Sequence, residues 1–110
     1  DLPAHYINIF APGTRRSDKV GATAFFHGSH NLEFTAKYCG SAEGYHKIYP
    51  QLVRPILDLG DVVLFDCRIL HFGMSNSTDS GTERVLLYTN TTQAWFQDPK
   101  NWDDHRPIFT

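Results

Sequence analysis

Several things are missing from this 110-residue sequence, and each absence removes a class of function. No apolar run approaches the roughly 20 residues that a membrane-spanning helix needs, so no membrane role is expected. No basic stripe is present either. Ten Lys and Arg stand against twelve Asp and Glu, giving a formal net charge of −2 and a pI of about 6.3. The electrostatic footprint of nucleic-acid binding is therefore absent. The only two cysteines, Cys39 and Cys67, are too few for a disulfide framework. Cys67 sits inside an apolar run and reads as a buried thiol. This cysteine usage points to a reducing compartment and a cytoplasmic location. No signal peptide is visible, and the chain opens at Asp1 without a methionine, so the N-terminus of the whole protein is expected elsewhere. Repeats, heptads and any long helical period are also lacking.

What is present is a set of short strand-like runs. Hydrophobic residues make up 41%, enough for a packed core rather than a disordered chain. Tyr6 to Phe10 reads as a first strand, closed by Pro12-Gly13, and Ala22 to His27 as a second, closed by Gly28-Ser29. The polar stretch 14–20 between them is a loop, and 31–49 shows no clean period and reads as a long irregular connection. Gln51 to Leu57 adds a short strand, with Pro55 suggesting an edge. After the turn at Gly60-Asp61, Val62 to Phe72 forms a third clear strand, and Arg84 to Trp95 a fourth, separated by the polar loop 73–83. The tail 97–110 is polar and wraps the surface. Short strands between polar turns argue for an antiparallel barrel or sandwich, mainly β.

Side chains alternate along a strand, which sorts these runs into faces. Val63, Phe65, Cys67, Ile69 and His71 share one row of the third strand; Asp66 and Arg68 lie on the other, as a local ion pair. An imidazole that ends an apolar row just before a glycine suits the mouth of a barrel, where one nitrogen stays free for a metal. Taken alone, a histidine is more often simply hydrogen-bonded. In the fourth strand Arg84, Leu86, Tyr88 and Asn90 share a face, with Arg84 opening the strand. If the third and fourth strands are neighbours, His71 and Arg84 lie at the same end of one sheet. A guanidinium there clamps a carboxylate through two parallel hydrogen bonds. Both faces are largely apolar, and nothing in the chain resembles the helices that would cover the second face. His27 and His30 point to opposite faces of extended backbone, so joint metal binding is not expected, and His30 is taken to order its turn.

These residues carry a family resemblance. The run from Gly60 to Gly73 (GDVVLFDCRILHFG) resembles the distal-histidine strand of phytanoyl-CoA dioxygenase-like proteins. Arg84-Val85-Leu86-Leu87-Tyr88, followed by Trp95-Phe96, resembles the strand bearing their 2-oxoglutarate-binding arginine. Gly21-Ala22-Thr23 with Gly28-Ser29-His30, and Tyr6 to Phe10, are similar to two further strands of that family. The resemblance implies a double-stranded β-helix, a cupin-like jelly roll, with Fe(II) held by two histidines and a carboxylate. It makes His71 the second iron-ligating histidine and Arg84 the anchor for the far carboxylate of 2-oxoglutarate. Tyr6, Asn8 and Ser75 are candidate contacts to the co-substrate, although hydrogen bonding inside the barrel accounts for them equally well. The implied activity is hydroxylation of a small or lipid-like substrate by an Fe(II)- and 2-oxoglutarate-dependent dioxygenase that uses O₂.

One departure stands out. The family's first ligands form a His-x-Asp motif, and neither His-x-Asp nor His-x-Glu occurs in this chain. The expectation is that residues 1–110 are the C-terminal part of one incomplete jelly-roll domain, inactive alone, with ligands and covering helices upstream. A non-catalytic jelly-roll binding module, a halogenase of the same family and a cupin-type isomerase or lyase are the alternatives. The last would need several inward histidines, and only His71 has the right phase.

Overall fold

The computed structural model describes residues 2–14, 21–77 and 82–98. Most of the loop 14–20, residues 78–81 of the loop 73–83, and the tail from 99, with its Asp103-Asp104 pair, lie outside the described residues. Six strands form two antiparallel three-stranded sheets. They are β1 (Tyr6–Pro12), β2 (Thr23–Phe26), β3 (Leu52–Val53), β4 (Val63–Asp66), β5 (His71–Gly73) and β6 (Leu86–Thr92). The first sheet has the order β4-β1-β6 and the second β3-β2-β5. Every connection between successive strands except β2 to β3 therefore passes from one sheet to the other. The chain is mainly β, as its short alternating runs predict. Among the described residues, no helix is long and apolar enough to cross a membrane.

The alternating run Tyr6-Ile7-Asn8-Ile9-Phe10 makes β1 the centre of its sheet, paired with β4 from Ile7↔Asp66 to Phe10↔Val63 and with β6 from Tyr6↔Thr92 to Pro12↔Leu86. Its inward row packs against the second sheet through aromatic rings. Phe65 meets Phe10 and Phe25, each at 4.8 Å between ring centroids, and Phe10 meets Tyr88 at 5.1 Å. Edge-on pairs of this kind add about 0.5–1.5 kcal/mol each beyond the area they bury. Ala24 and Phe26, on the opposite face of β2 from Phe25, are buried as well. Conversely, Val62, Leu64, Val85 and Leu87 leave an apolar row on the first sheet exposed, with both leucines 63% accessible. That is the uncovered second face anticipated from the sequence.

Three expectations need correction. First, 31–49 is not irregular: it holds α1 (Leu32–Tyr38), α2 (Ala42–Ile48) and the start of a 3₁₀ turn, Tyr49–Gln51. Each α-helix begins at a side-chain cap. Asn31 accepts from the Phe34 amide at 2.7 Å and Ser41 from the Gly44 amide at 3.0 Å. Neither helix presents a broad apolar stripe; α1 buries no residue and α2 only Gly44 and Ile48. A hydrophobic period could not reveal them.

Second, Val62 to Phe72 is not one strand. It ends at Asp66, turns, and resumes at His71 in the other sheet. The Asp66 side chain causes the break: Oδ1 accepts from the Arg68 amide at 3.0 Å, while the Ile69 amide donates to the Asp66 carbonyl. Third, the strand expected over Gln51 to Leu57 shrinks to β3, two residues, although it does lie at a sheet edge. The turn after β2 is tied by Ser29 and Asn31 rather than by His30, whose side chain is exposed.

Candidate functional site

The break at Cys67–Ile69 is what brings His71 inward. β5 pairs with β2 in the register Phe25↔His71, and paired residues share a face. Phe25 faces the first sheet, so His71 does too. Its ring stacks on Phe25 at 6.0 Å and meets Phe65 edge-on at 4.9 Å. Nδ1 lies 2.8 Å from the Ile69 carbonyl oxygen. A carbonyl only accepts, so Nδ1 carries the proton and donates, and the neutral ring keeps its lone pair on Nε2. That is the tautomer and the orienting bond usual for a metal-ligating histidine.

Arg84 arrives from the other sheet. β5 and β6 are not neighbours, contrary to the expectation that joined the two side chains at one end of a single sheet. The Arg84 guanidinium nevertheless reaches across to β5. A Cβ built on Gly73 would stand 3.2 Å from its Nη2. Gly73 is two residues past His71 on the same face, so the missing side chain opens room for the guanidinium beside the histidine's strand. The backbone flanking Arg84 is fixed by Thr14, whose Oγ1 donates to the Glu83 carbonyl at 3.1 Å and accepts from the Val85 amide at 2.8 Å.

Between the sheets lies a cavity of about 350 Å³, the size range of small-molecule sites. Phe10, Phe25, Val63 and Leu86 supply apolar wall, and Arg84 and Ser75 supply polar groups. Ser75 is held there by close backbone approach: Gly21 adopts φ +75°, and a Cβ on it would come within 2.8 Å of the Met74 carbonyl. His71 does not line this cavity, but Phe25, on which it stacks, does.

Tyr6 and Asn8 are not at the cavity wall. They belong to a hydrogen-bonded chain on the inward row of the first sheet. The Asn90 Nδ2 donates to Tyr6 Oη at 2.8 Å, and Tyr88 Oη donates to Asn8 Oδ1 at 3.0 Å. The two phenol oxygens are 3.3 Å apart. Since the Tyr88 proton is committed to Asn8, Tyr6 must be the donor between them. Burial, and then the Tyr88 contact, push the Tyr6 pKa well above the usual phenol range, so Tyr6 stays neutral. Tyr88 was visible as a member of the Arg84 row by alternation; its partnership with Asn8 was not.

Elsewhere, Asp66 and Arg68 form the expected ion pair, with Arg68 Nη2 2.6 Å from Asp66 Oδ2. The Arg68 hydrogen bonds hold the Asp66 carboxyl below its ordinary value, and burial pushes the Cys67 thiol up. Both cysteines are free. Among the described residues, no three His, Cys, Asp or Glu side chains gather as a metal site. The described residues therefore fit a carboxylate anchor with one oriented imidazole, and they do not fit a complete iron centre. Compared with known proteins, the chain matches no family model and no curated protein.

Proposed function

We propose that this chain forms the anchoring half of an iron- and 2-oxoglutarate-dependent dioxygenase site on a jelly roll, acting on a small or lipid-like substrate. The observation that carries the reading is the meeting of Arg84 and β5. A guanidinium without an ion-pair partner among the described residues lies over Gly73, on the strand and face that present His71. In this reading Arg84 holds the far carboxylate of 2-oxoglutarate in a two-point clamp. Ser75 shares the wall, and Phe10, Phe25 and Leu86 exclude water from the co-substrate's methylenes. His71 is the one metal ligand the described residues offer, kept ready by its bond to Ile69. Bound iron and O₂ would supply the oxidising power. Strand connections that pass repeatedly between two sheets support the jelly-roll architecture.

The test is calorimetric titration of 2-oxoglutarate into the full chain and into Arg84→Gln. Binding that the variant lowers at least tenfold supports the anchor; equal affinity for both proteins overturns it. A second reading, a jelly-roll binding module without redox chemistry, is favoured by the lack of a three-ligand cluster among the described residues. Binding of 2-oxoglutarate that depends on Arg84 separates the two, since only the oxygenase reading requires it, whereas tight stoichiometric Fe(II) uptake by residues 1–110 alone would contradict the anchoring-half reading.

A further inference from the structure

Gly28-Ser29-His30, the motif that closes β2, has no part in the reading above. Ser29 is only 1% exposed, one of two buried polar side chains among the described residues. A buried hydroxyl costs free energy unless it is hydrogen-bonded, so its partner matters. That partner is the Leu70 amide, which donates to Ser29 Oγ at 2.7 Å. The turn is shaped to present the hydroxyl. Gly28 takes φ +80°, where a side chain would be strained, and its carbonyl accepts from Asn31 Nδ2 at 3.0 Å. The Ser29 amide closes the turn on the Phe26 carbonyl at 3.2 Å.

The amide that Ser29 holds belongs to the peptide unit between Ile69 and Leu70. The carbonyl of that same unit accepts from His71 Nδ1 at 2.8 Å. A trans peptide is planar, with its N–H and C=O directed to opposite sides. Fixing the N–H therefore aims the C=O. The next unit, between Leu70 and His71, is held from the same strand, since the Phe26 amide donates to the Leu70 carbonyl at 2.9 Å. Both peptides that flank Leu70 are thus tied to β2 and its turn, while the exposed His71 ring follows directly on them. Hydrogen bonds in a chain also polarise one another, so the bond to Ser29 makes the Ile69 carbonyl a better acceptor.

Which nitrogen of a neutral imidazole carries the proton is set by the hydrogen bonds that the ring makes. Against water either form is satisfied. Against the Ile69 carbonyl only Nδ1–H is, because a carbonyl only accepts. We propose that Ser29 is a positioning residue: by holding the Ile69–Leu70 peptide it keeps the His71 proton on Nδ1 and the lone pair on Nε2. The inference rests on the preceding reading only for the use made of that lone pair, as a metal ligand.

Ring-nitrogen NMR of the full chain, labelled with ¹⁵N-histidine and held at about pH 8.5, above the ordinary histidine range, reads the two neutral forms directly. The pair of signals lost in His71→Gln identifies the ring. Ser29→Ala removes the acceptor; Ser29→Cys keeps a weaker one in a similar volume. Ile48→Val, a change to a buried side chain in α2, is the control for general loosening. The expected result is Nδ1–H as the main form in the unaltered chain. Its ratio to Nε2–H should fall at least threefold in Ser29→Ala, by less in Ser29→Cys, and not in Ile48→Val. A structural role in the turn alone would lower stability without moving this ratio. The proposal is overturned if Nε2–H is the main form in the unaltered chain, if Ser29→Ala keeps the unaltered ratio, or if Ile48→Val shifts it as far. Should Ser29→Ala fail to fold, Ser29→Cys decides: a lowered ratio upholds the proposal and an unchanged one overturns it. The expected ratios together with no binding of 2-oxoglutarate would uphold the role of Ser29 and end the preceding reading alone.

Discussion

The rings of Phe65 and His71 stand edge to face at 4.9 Å although they belong to different sheets. Phe65 is buried and touches three rings; His71 is exposed and contributes an edge. Their energetic roles should therefore differ. Phe65→Ala is expected to lower unfolding free energy by about 3 kcal/mol, at the lower end for a buried phenylalanine. His71→Ala should cost less, about 1–2 kcal/mol, the worth of an exposed ring's two contacts with Phe25 and Phe65. Urea denaturation of both variants measures this. Equal costs would make His71 a core residue and weaken its reading as a ligand.

Gly73 gives a way to move Arg84 without removing it. In Gly73→Ala the new Cβ meets the far end of a flexible side chain at 3.2 Å, so the guanidinium can swing aside. The melting temperature should change little. The affinity for 2-oxoglutarate should fall roughly tenfold, about 1.4 kcal/mol, as the two-point clamp loses its geometry. A variant that binds as the unaltered chain does would show that the guanidinium need not lie over β5.

The Asn90–Tyr6–Tyr88–Asn8 chain predicts an order among deletions. Tyr88→Phe removes the donor to Asn8, which is 5% exposed, and the acceptor for Tyr6. A buried group stripped of its partner costs about 1–3 kcal/mol. Asn90→Ala removes only a donor to Tyr6 from an exposed position, where water can replace it, and should cost less than half as much. Thermal unfolding of the two single variants and the double variant tests the ranking. Non-additive losses are expected between them because the groups form one chain.

Asp66 should make stability depend on acid. Its folded pKa lies below the ordinary carboxyl value because Arg68 hydrogen-bonds the charged form. The sign follows from linkage: the unfolded chain holds the proton more tightly, so the contribution is fully present above the unfolded value of about 4. It is lost as pH falls through the lower folded value. Asp66→Asn should be less stable than the unaltered chain at pH 7, and the gap should close below about pH 4. Denaturation midpoints across pH 2.5 to 7 check it; a gap independent of pH would mean that packing, and not charge, sets the cost.

Much of the fold could be read from alternation. Tyr6 to Phe10 and the Arg84 row carry a period of two because one face of each meets the core, and both are long strands. The helices were hidden because caps at Asn31 and Ser41 start them without an apolar stripe. The break after Asp66 was hidden inside VVLFDCRILHF, a run whose side chains all tolerate extended backbone. Its one clue was an aspartate able to accept from the amide two residues on. His71 and Phe65 were placed on one row of one strand; they do face each other, but across the gap between sheets. Arg84 was given an anchor role from an expected place at the start of a strand over Arg84 to Trp95, but that strand begins two residues later and runs only over Leu86–Thr92, so Arg84 sits on the segment leading into it.

The crossing from β4 to β5 also fixes what length changes the chain can bear. Four residues, Cys67 to Leu70, carry the backbone from one sheet to the other, held by the Ser29 hydroxyl and by Asp66. Removing or adding one residue there would rotate every side chain of β5 by half a pleat. His71 would turn outward and Phe72 inward, taking the glycine gap at 73 away from Arg84.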